Sequence, residues 1–246
     1  GTAGVTAMLC VLELESAGRL RRRDGPEVLV TGAAGGVGSF AVAILANRGY
    51  RVTASSRRWE EQGGYLRALG ASEIVGPLVG DAPSEQANSA DKAAMGGAAS
   101  LSKPLEKQRW AGVVDTVGSS TLAAACAQTR YMGSVASTGV AAGGDLTGLT
   151  VYPFILRGVR LLGVDSTLPW NLGGYNDADP ESWLMHRRQR LAIWKALADQ
   201  TARGGVTPAQ VDLVHQRTVG LSELEAEAAA ILRGATLGRV VVDVGK

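Results

Sequence analysis

The chain has 246 residues, 46% of them hydrophobic and 20% charged, with a formal net charge of +2, the composition of an ordinary globular protein large enough to bury its own core. Its basic clusters, Arg21–Arg23 and Arg187–Arg188, are brief and flanked by acidic or apolar positions, so nucleic-acid binding is excluded as a principal role. No apolar run reaches the roughly 20 residues that span a bilayer, and two isolated cysteines (Cys10, Cys126) and two isolated histidines (His186, His215) offer neither a disulfide framework nor the spacing of a metal site.

From Thr2 to Ala17, Val5, Met8, Leu12 and Leu14 fall near helical spacing, and a charged turn follows at Arg19–Gly25. The chain opens with Gly1 inside this helix, so it reads as a fragment. A cytoplasmic location is the expectation, with an organelle left open because any targeting segment would lie upstream.

A strand at Glu27–Thr31 runs into the glycine-rich stretch Gly32-Ala33-Ala34-Gly35-Gly36-Val37-Gly38-Ser39 and directly into an apolar helix to Arg48. Strand, glycine turn and helix start together suit a diphosphate, because the first N–H groups of a helix lack intrahelical partners and the helix dipole adds positive potential there. Gly35 and Gly38 fill the second and third glycine places of G-x-G-x-x-G, whereas Ala33 holds the first. A second strand, Arg51–Ser55, ends about twenty residues further on, where a dinucleotide-binding βαβ unit reads the ribose. An NAD-type site would place Asp or Glu there; this chain has Ser55-Ser56-Arg57-Arg58, whose hydroxyls and guanidiniums suit a 2′-phosphate and favour NADP. The plainer alternative is a solvated basic turn.

A helix near Tyr65–Leu69 and a short strand at Ile74–Val75 continue a βα rhythm that predicts a doubly wound parallel sheet with helices on both faces, a Rossmann fold. Residues 80–102, rich in Ala, Ser, Gly and Asp, read as a surface insertion. The fold resumes with a strand at Gly112–Asp115, a helix near Leu122–Thr129, a strand at Ser134–Ser137 and another at Arg160–Val164. In an open parallel sheet, ligands bind beyond the carboxyl ends of the strands, which makes Asp115, Val117, Thr138, Gly139 and Val140 candidates for the cleft; helix capping is the equal alternative for Asp115. A helix from about Glu181 to Asp199 carries Trp183, His186 and Trp194 as packing or surface residues. Val211–Val219 reads as a strand, Ser222–Glu225 as a capping box opening a helix to Arg233, and Arg239–Val244 as the last strand.

Taken together, Gly1–Met8, Thr31–Ser39, Leu69–Ser72, Pro104–Gln108, Trp110–Gly112, Asp115–Gly118, Pro153–Arg157, Gly163–Ser166 and Gly238–Arg239 resemble the medium-chain dehydrogenase/reductase superfamily. Pro104-Leu105-Glu106-Lys107-Gln108 and Pro153-Phe154-Ile155-Leu156-Arg157 are similar to its zinc-free acrylyl-CoA reductase branch, also described as quinone-oxidoreductase-like. The resemblance implies an NADPH-dependent reduction of the activated C=C of acrylyl-CoA to propanoyl-CoA. NADPH:quinone reduction is the alternative, and a noncatalytic NADP-binding protein the second. It further implies that Ala34, Gly35, Gly36 and Val37 hold the diphosphate, that Ser56, Arg57 and Arg58 hold the 2′-phosphate, and that Thr6, Val140, Ile155 and Ser166 border the nicotinamide. The branch has glycine in place of Arg57, so its backbone role carries over more directly than its side chain. No metal is implied, and no catalytic residue or proton donor is identified; Tyr131 and Tyr152 lie nearby but are more in keeping with structural roles. Residues 1–204 would be the NADP-binding domain and 205–246 a segment packing on a GroES-like catalytic domain upstream. The partners implied are an enoyl-CoA substrate and a second copy in a homodimer, without membrane or nucleic acid.

Overall fold

The computed structural model describes residues 1–17, 20, 27–79, 103–166, 180–199 and 204–245, with side chains 180–187 and 189 left aside. The predicted insertion at 80–102, the turn at Arg19–Gly25 apart from Leu20, and the side chains of Trp183 and His186 lie outside the described residues.

Six strands form one sheet: β1 (Glu27–Val30), β2 (Arg51–Ser55), β3 (Glu73–Val75), β4 (Trp110–Asp115), β5 (Thr129–Ser137) and β6 (Arg160–Gly163). Their spatial order is β3-β2-β1-β4-β5-β6, and every neighbouring pair is parallel. This is the doubly wound Rossmann arrangement predicted above, with the order reversing between β1 and β4. Helices α1 (Thr2–Ser16), α2 (Gly36–Asn47), α3 (Trp59–Ala68), α4 (Ser119–Gln128), α5 (Tyr152–Arg157) and α6 (Pro180–Ala198) accompany the sheet.

The central strands are apolar along their length because both faces are covered. Val28, Leu29, Val30, Val113 and Val114 are fully buried, and so are Ile44 and Leu45 of α2. α1 buries residues around most of its circumference (Met8, Leu9, Cys10, Val11, Leu14), which suits a helix enclosed by α2, α6 and the sheet. Each such Leu or Val contributes about 1.5–3 kcal/mol by leaving water. Arg48 ties α2 to α1 through a fork on Glu15, Nε donating at 2.9 Å and Nη2 at 2.5 Å, while the Tyr50 hydroxyl donates to the same carboxylate at 2.8 Å.

The C-terminal part differs from its sequence reading in two places. Residues 211–214, expected as strand, belong to helix α7 (Pro208–Val214), and strand β7 runs only from His215 to Gly220. A capping box starts that helix: the Gln210 N–H donates to Thr207 Oγ1 at 3.2 Å, Thr207 N–H donates to Gln210 Oε1 at 3.0 Å, and Pro208 supplies the first-turn φ. The second capping box also shifts. Glu223 reaches back to the N–H of Gly220 at 2.9 Å, so a single 3₁₀ turn precedes α8 (Leu224–Leu232). β7 and β8 (Arg239–Asp243) then pair parallel as a small second sheet.

Candidate functional site: the carboxyl edge of the parallel sheet

The loops leaving β1, β2, β4, β5 and β6 all emerge at the carboxyl edge of the sheet. At the end of β1, Gly32 takes φ +56°, and a Cβ there would overlap the Thr116 hydroxyl, so glycine is required both for the conformation and for the contact. The turn closes through Gly35 N–H on Gly32 O at 3.0 Å. Gly38 lies against the backbone of the same turn: its Cβ would stand 2.7 Å from Ala33 Cα and 2.9 Å from the carbonyl carbon of Gly32. α2 begins at Gly36 with extended Gly35 as its N-cap, no side-chain cap and no acid in its first turn. Its leading N–H groups therefore face outward without a competing carboxylate, as an anion requires.

A polar relay from α3 buttresses this turn. The Tyr65 hydroxyl donates to Ser39 Oγ at 2.7 Å, and Ser39 Oγ donates to Ala33 O at 3.3 Å. Burial pushes the Tyr65 phenol upward, outweighing the opposing hydrogen bond with Ser39.

At the end of β2, Ser56 is buried, Arg58 is half-buried and Arg57 is exposed. The Gln62 carboxamide occupies the space between Ser56 and Arg58. With the amide assigned the orientation that satisfies both of its ends, its oxygen accepts from Arg58 Nη2 at 3.0 Å and Nε at 3.1 Å and its nitrogen donates to Ser56 Oγ; in the opposite orientation the Ser56 hydroxyl donates to the amide oxygen and Arg58 faces an amide nitrogen. Arg58 Nη2 also donates to Ala235 O at 3.1 Å. Neither Gln62 nor Tyr65 was marked in the sequence. The available signal was a glutamine on the same helical face as Leu66 and Leu69, where the 3.6-residue period calls for an apolar side chain.

Asp115 resolves into a buried clamp at the end of β4. Its Oδ1 accepts the Thr31 hydroxyl at 2.7 Å, and its Oδ2 accepts Gly118 N–H at 2.9 Å, the N-cap position of α4. Thr116 N–H in turn donates to Thr31 Oγ1 at 3.1 Å, and the Thr116 hydroxyl donates to Thr31 O at 2.8 Å. Burial raises the Asp115 carboxyl above the ordinary carboxylate range despite the hydrogen bonds that oppose it. Asp115 is thus not the cap of α4, which starts at Gly118 without a side-chain cap; its carboxylate holds the turn leading into that helix and adds a link to β1 that the sequence did not reveal. Gly139 presses against the Thr116 backbone, and Thr138 N–H donates to Asp115 O at 3.0 Å.

The remaining expected residues are placed as follows. Ala34 is buried, with its carbonyl accepting Gly238 N–H at 2.9 Å, and Val37 is half-buried on the first turn of α2. Thr6 is buried in α1, and its hydroxyl donates to Thr2 O at 2.8 Å. Val140 and Ile155 are 72% and 69% exposed, on the β5 and α5 side of the edge. Ser166, beyond β6, is half-buried, and its carbonyl accepts from Arg190 Nη1 at 3.3 Å.

Two sequence runs singled out above meet as a latch away from the edge. Arg157 donates through Nη2 to Glu106 O at 2.6 Å and through Nη1 to Ala127 O at 2.7 Å. Gln128 donates to Glu106 Oε2 at 2.9 Å while accepting Trp110 Nε1–H at 3.1 Å, and Gln108 accepts the N–H of Tyr131 at 2.6 Å. These side chains hold the 104–109 segment and α5 around the start of β5. Cys10 and Cys126 are buried thiols pushed up to about 12, inert packing groups as expected.

A doubly wound sheet with a glycine turn, an uncapped helix start and an arginine fork beside it defines a nucleotide-binding Rossmann domain. Residues 36–171 match the family of zinc-binding dehydrogenases. The chain belongs to that family, within the medium-chain dehydrogenase/reductase superfamily and on its acrylyl-CoA reductase-like branch. It is 42% identical over 244 residues to acrylyl-CoA reductase AcuI of Ruegeria pomeroyi, a match covering 99% of this chain and 61% of that protein. Among solved structures, the yhdH oxidoreductase of Salmonella enterica in complex with NADP is similar at TM-score 0.75 and 38% identity, covering 99% of this chain and 61% of that one. Bacillus subtilis yhfP with NAD bound is similar at TM-score 0.74 and 37% identity, over 99% and 61% respectively. The chain thus spans about three-fifths of the length of the relatives it matches. Among the described residues, no group of three or more His, Cys, Asp or Glu could hold a metal ion, and no helix is long and apolar enough to cross a membrane.

Proposed function

We propose that this chain is the cofactor-binding part of an NADPH-dependent oxidoreductase that reduces the activated C=C of acrylyl-CoA to propanoyl-CoA. The observation that carries the reading is the cluster of Ser56, Arg58 and Gln62 at the end of β2, beside the uncapped start of α2. The donors fit the group: main-chain N–H at Gly36 and Val37 for a diphosphate, and a hydroxyl with a guanidinium, without a carboxylate, for a 2′-phosphate. Thr6, Val140, Ile155 and Ser166 would border the nicotinamide. NADPH held there would supply a hydride to the β-carbon of the enoyl thioester, with a proton from solvent or another donor completing the reduction at the α-carbon.

The chain's own contribution is binding and orientation. The clamp of Thr31, Asp115 and Thr116 fixes the β1 and β4 loops against each other, so the two ends of an extended dinucleotide meet a rigid floor. Residues 205–246 would pack on an upstream catalytic domain that shields the reacting carbons from water. Exposed Val241 and Val244 on β8 and just beyond it, and Leu221 and Leu224 nearby, supply apolar surface for that contact. A homodimer is part of the same reading.

The test is oxidation of NADPH at 340 nm by the protein containing this chain. Turnover that depends on acrylyl-CoA supports the proposal. Turnover with quinones alone moves the reading to an NADPH:quinone reductase, and tight NADPH binding without turnover on either substrate moves it to a noncatalytic role.

A further inference from the structure

We infer that Gln62 is a specificity-determining positioning residue, holding Arg58 and Ser56 in the state that reads a 2′-phosphate and so setting the preference for NADPH over NADH. The inference rests on the NADPH reading above and adds to it a residue that does not itself touch the cofactor.

Gln62 is buried on the inner face of α3, so its carboxamide must be satisfied within the protein. Its oxygen takes two donors from one edge of the Arg58 guanidinium, Nε at 3.1 Å and Nη2 at 3.0 Å. The other Nη2 hydrogen goes to Ala235 O at 3.1 Å. Three of the five guanidinium donors are thereby fixed, and the Nη1 pair, which no acceptor among the described residues takes, is left for an anion. The amide nitrogen has a separate effect on Ser56. Because that nitrogen donates, Ser56 Oγ is the acceptor, and its own hydrogen is free to point outward at a phosphate oxygen. The Ser56 main chain is anchored as well, its N–H donating to Val75 O at 3.2 Å. One neutral side chain therefore orients a cationic fork and a hydroxyl donor without neutralising either, which a glutamate in its place would do. Ala235 lies in the turn after α8, so the C-terminal segment takes part in the same arrangement.

Dissociation constants for NADPH and NADH, measured by fluorescence titration on the full chain and its Gln62→Ala, Gln62→Glu, Arg58→Ala and doubly substituted variants, test this. Gln62→Ala is expected to weaken NADPH about tenfold, by releasing an ordered arginine, while NADH stays within about twofold. Gln62→Glu, which is isosteric and keeps the fold if the alanine variant loses it, should weaken NADPH further by pairing with Arg58 and accepting the hydrogen bond of the Ser56 hydroxyl. In the Arg58→Ala background both losses should shrink to the smaller part that acts through Ser56. Equal weakening of both cofactors, or undiminished loss in the Arg58→Ala background, would overturn the role of Gln62. A parent chain with equal affinity for both cofactors and no response to Arg58→Ala would instead overturn the NADPH reading beneath it.

Discussion

The two halves of the sheet finish their carboxyl edges in different ways. On the β3-β2-β1 side the loops are covered by the chain's own C-terminal segment: Gly238 N–H donates to Ala34 O, Arg58 donates to Ala235 O, and Arg239 lies so close over Gly36 that a Cβ there would overlap its guanidinium. On the β4-β5-β6 side, Val140, Leu146, Val151 and Ile155 are exposed. The lesson is that one half is organised by contacts within this chain, whereas the other presents apolar side chains with no cover among the described residues. Beyond the β1–β4 pairing itself, the side chains of Thr31, Asp115 and Thr116 clamp the two together at this edge.

Breaking the β4-β5 side at its tightest point should cost most. A Cβ at Gly139 would coincide with the Thr116 backbone, which cannot move aside as a flexible side chain could. Gly139→Ala is expected to destabilise the fold by about 3 kcal/mol or more, read as a lowered midpoint in urea. Cutting the link between the halves comes next. Asp115→Ala leaves the Thr31 hydroxyl and Gly118 N–H without their buried acceptor and should cost about 2–3 kcal/mol. If the clamp is what couples the halves, the same variant should weaken the whole dinucleotide more than an adenosine fragment such as 2′-phospho-ADP-ribose.

The Asp115 carboxyl also gives the comparison a pH dependence. Its folded value is raised by burial, so the unfolded chain ionises first as pH increases. Stability associated with this group is fully present below its ordinary value and is lost as pH rises through the folded value. Asp115→Asn removes that loss. Its stability deficit relative to the parent should therefore be largest in acid and narrow toward neutral pH, which denaturation at a series of pH values will show.

The same contrast explains what could be read from the sequence. The β1-α2-β2 unit was legible because its chemistry is main-chain chemistry: glycines at Gly32, Gly35 and Gly38 and the small, basic end of β2 are local signals with a fixed spacing. That the sheet is parallel and doubly wound followed from the βα rhythm. Tyr65 and the partner of Asp115 were not legible, because each acts through a residue on another element; Gln62 acts locally, on Arg58 and Ser56, but its composition and spacing do not say that its amide is buried between them. Asp115 and Thr31 are 84 positions apart, and no periodicity reports that pairing. α7 was misread for a related reason. Val211, Leu213 and Val214 look like strand residues until the Thr207–Gln210 cap and the Asn47 contact, its Nδ2 donating to Gln210 Oε1 at 2.7 Å, decide in favour of a helix.

A smaller effect is expected at the latch. Arg157→Ala removes bonds to the carbonyls of Glu106 and Ala127 while leaving Gln128, Trp110 and the Glu106 carboxylate in contact. The loss should be about 1–2 kcal/mol, since the buried Ala127 carbonyl keeps the N–H of Glu106 as a partner at 3.0 Å and Glu106 is only half-buried. Its sharper consequence is local. α5 carries Ile155 and is capped at its end by Gly158 with φ +59°, so the helix is held mainly by its ends and by the Arg157 contacts. Hydrogen exchange should rise in residues 152–157 and in the 104–109 segment and stay unchanged in the β1-α2-β2 unit, because the latch touches only the open half. Equal loosening of both halves would show that the covered side draws its order from the whole sheet, and the division between them would then be one of surface exposure alone.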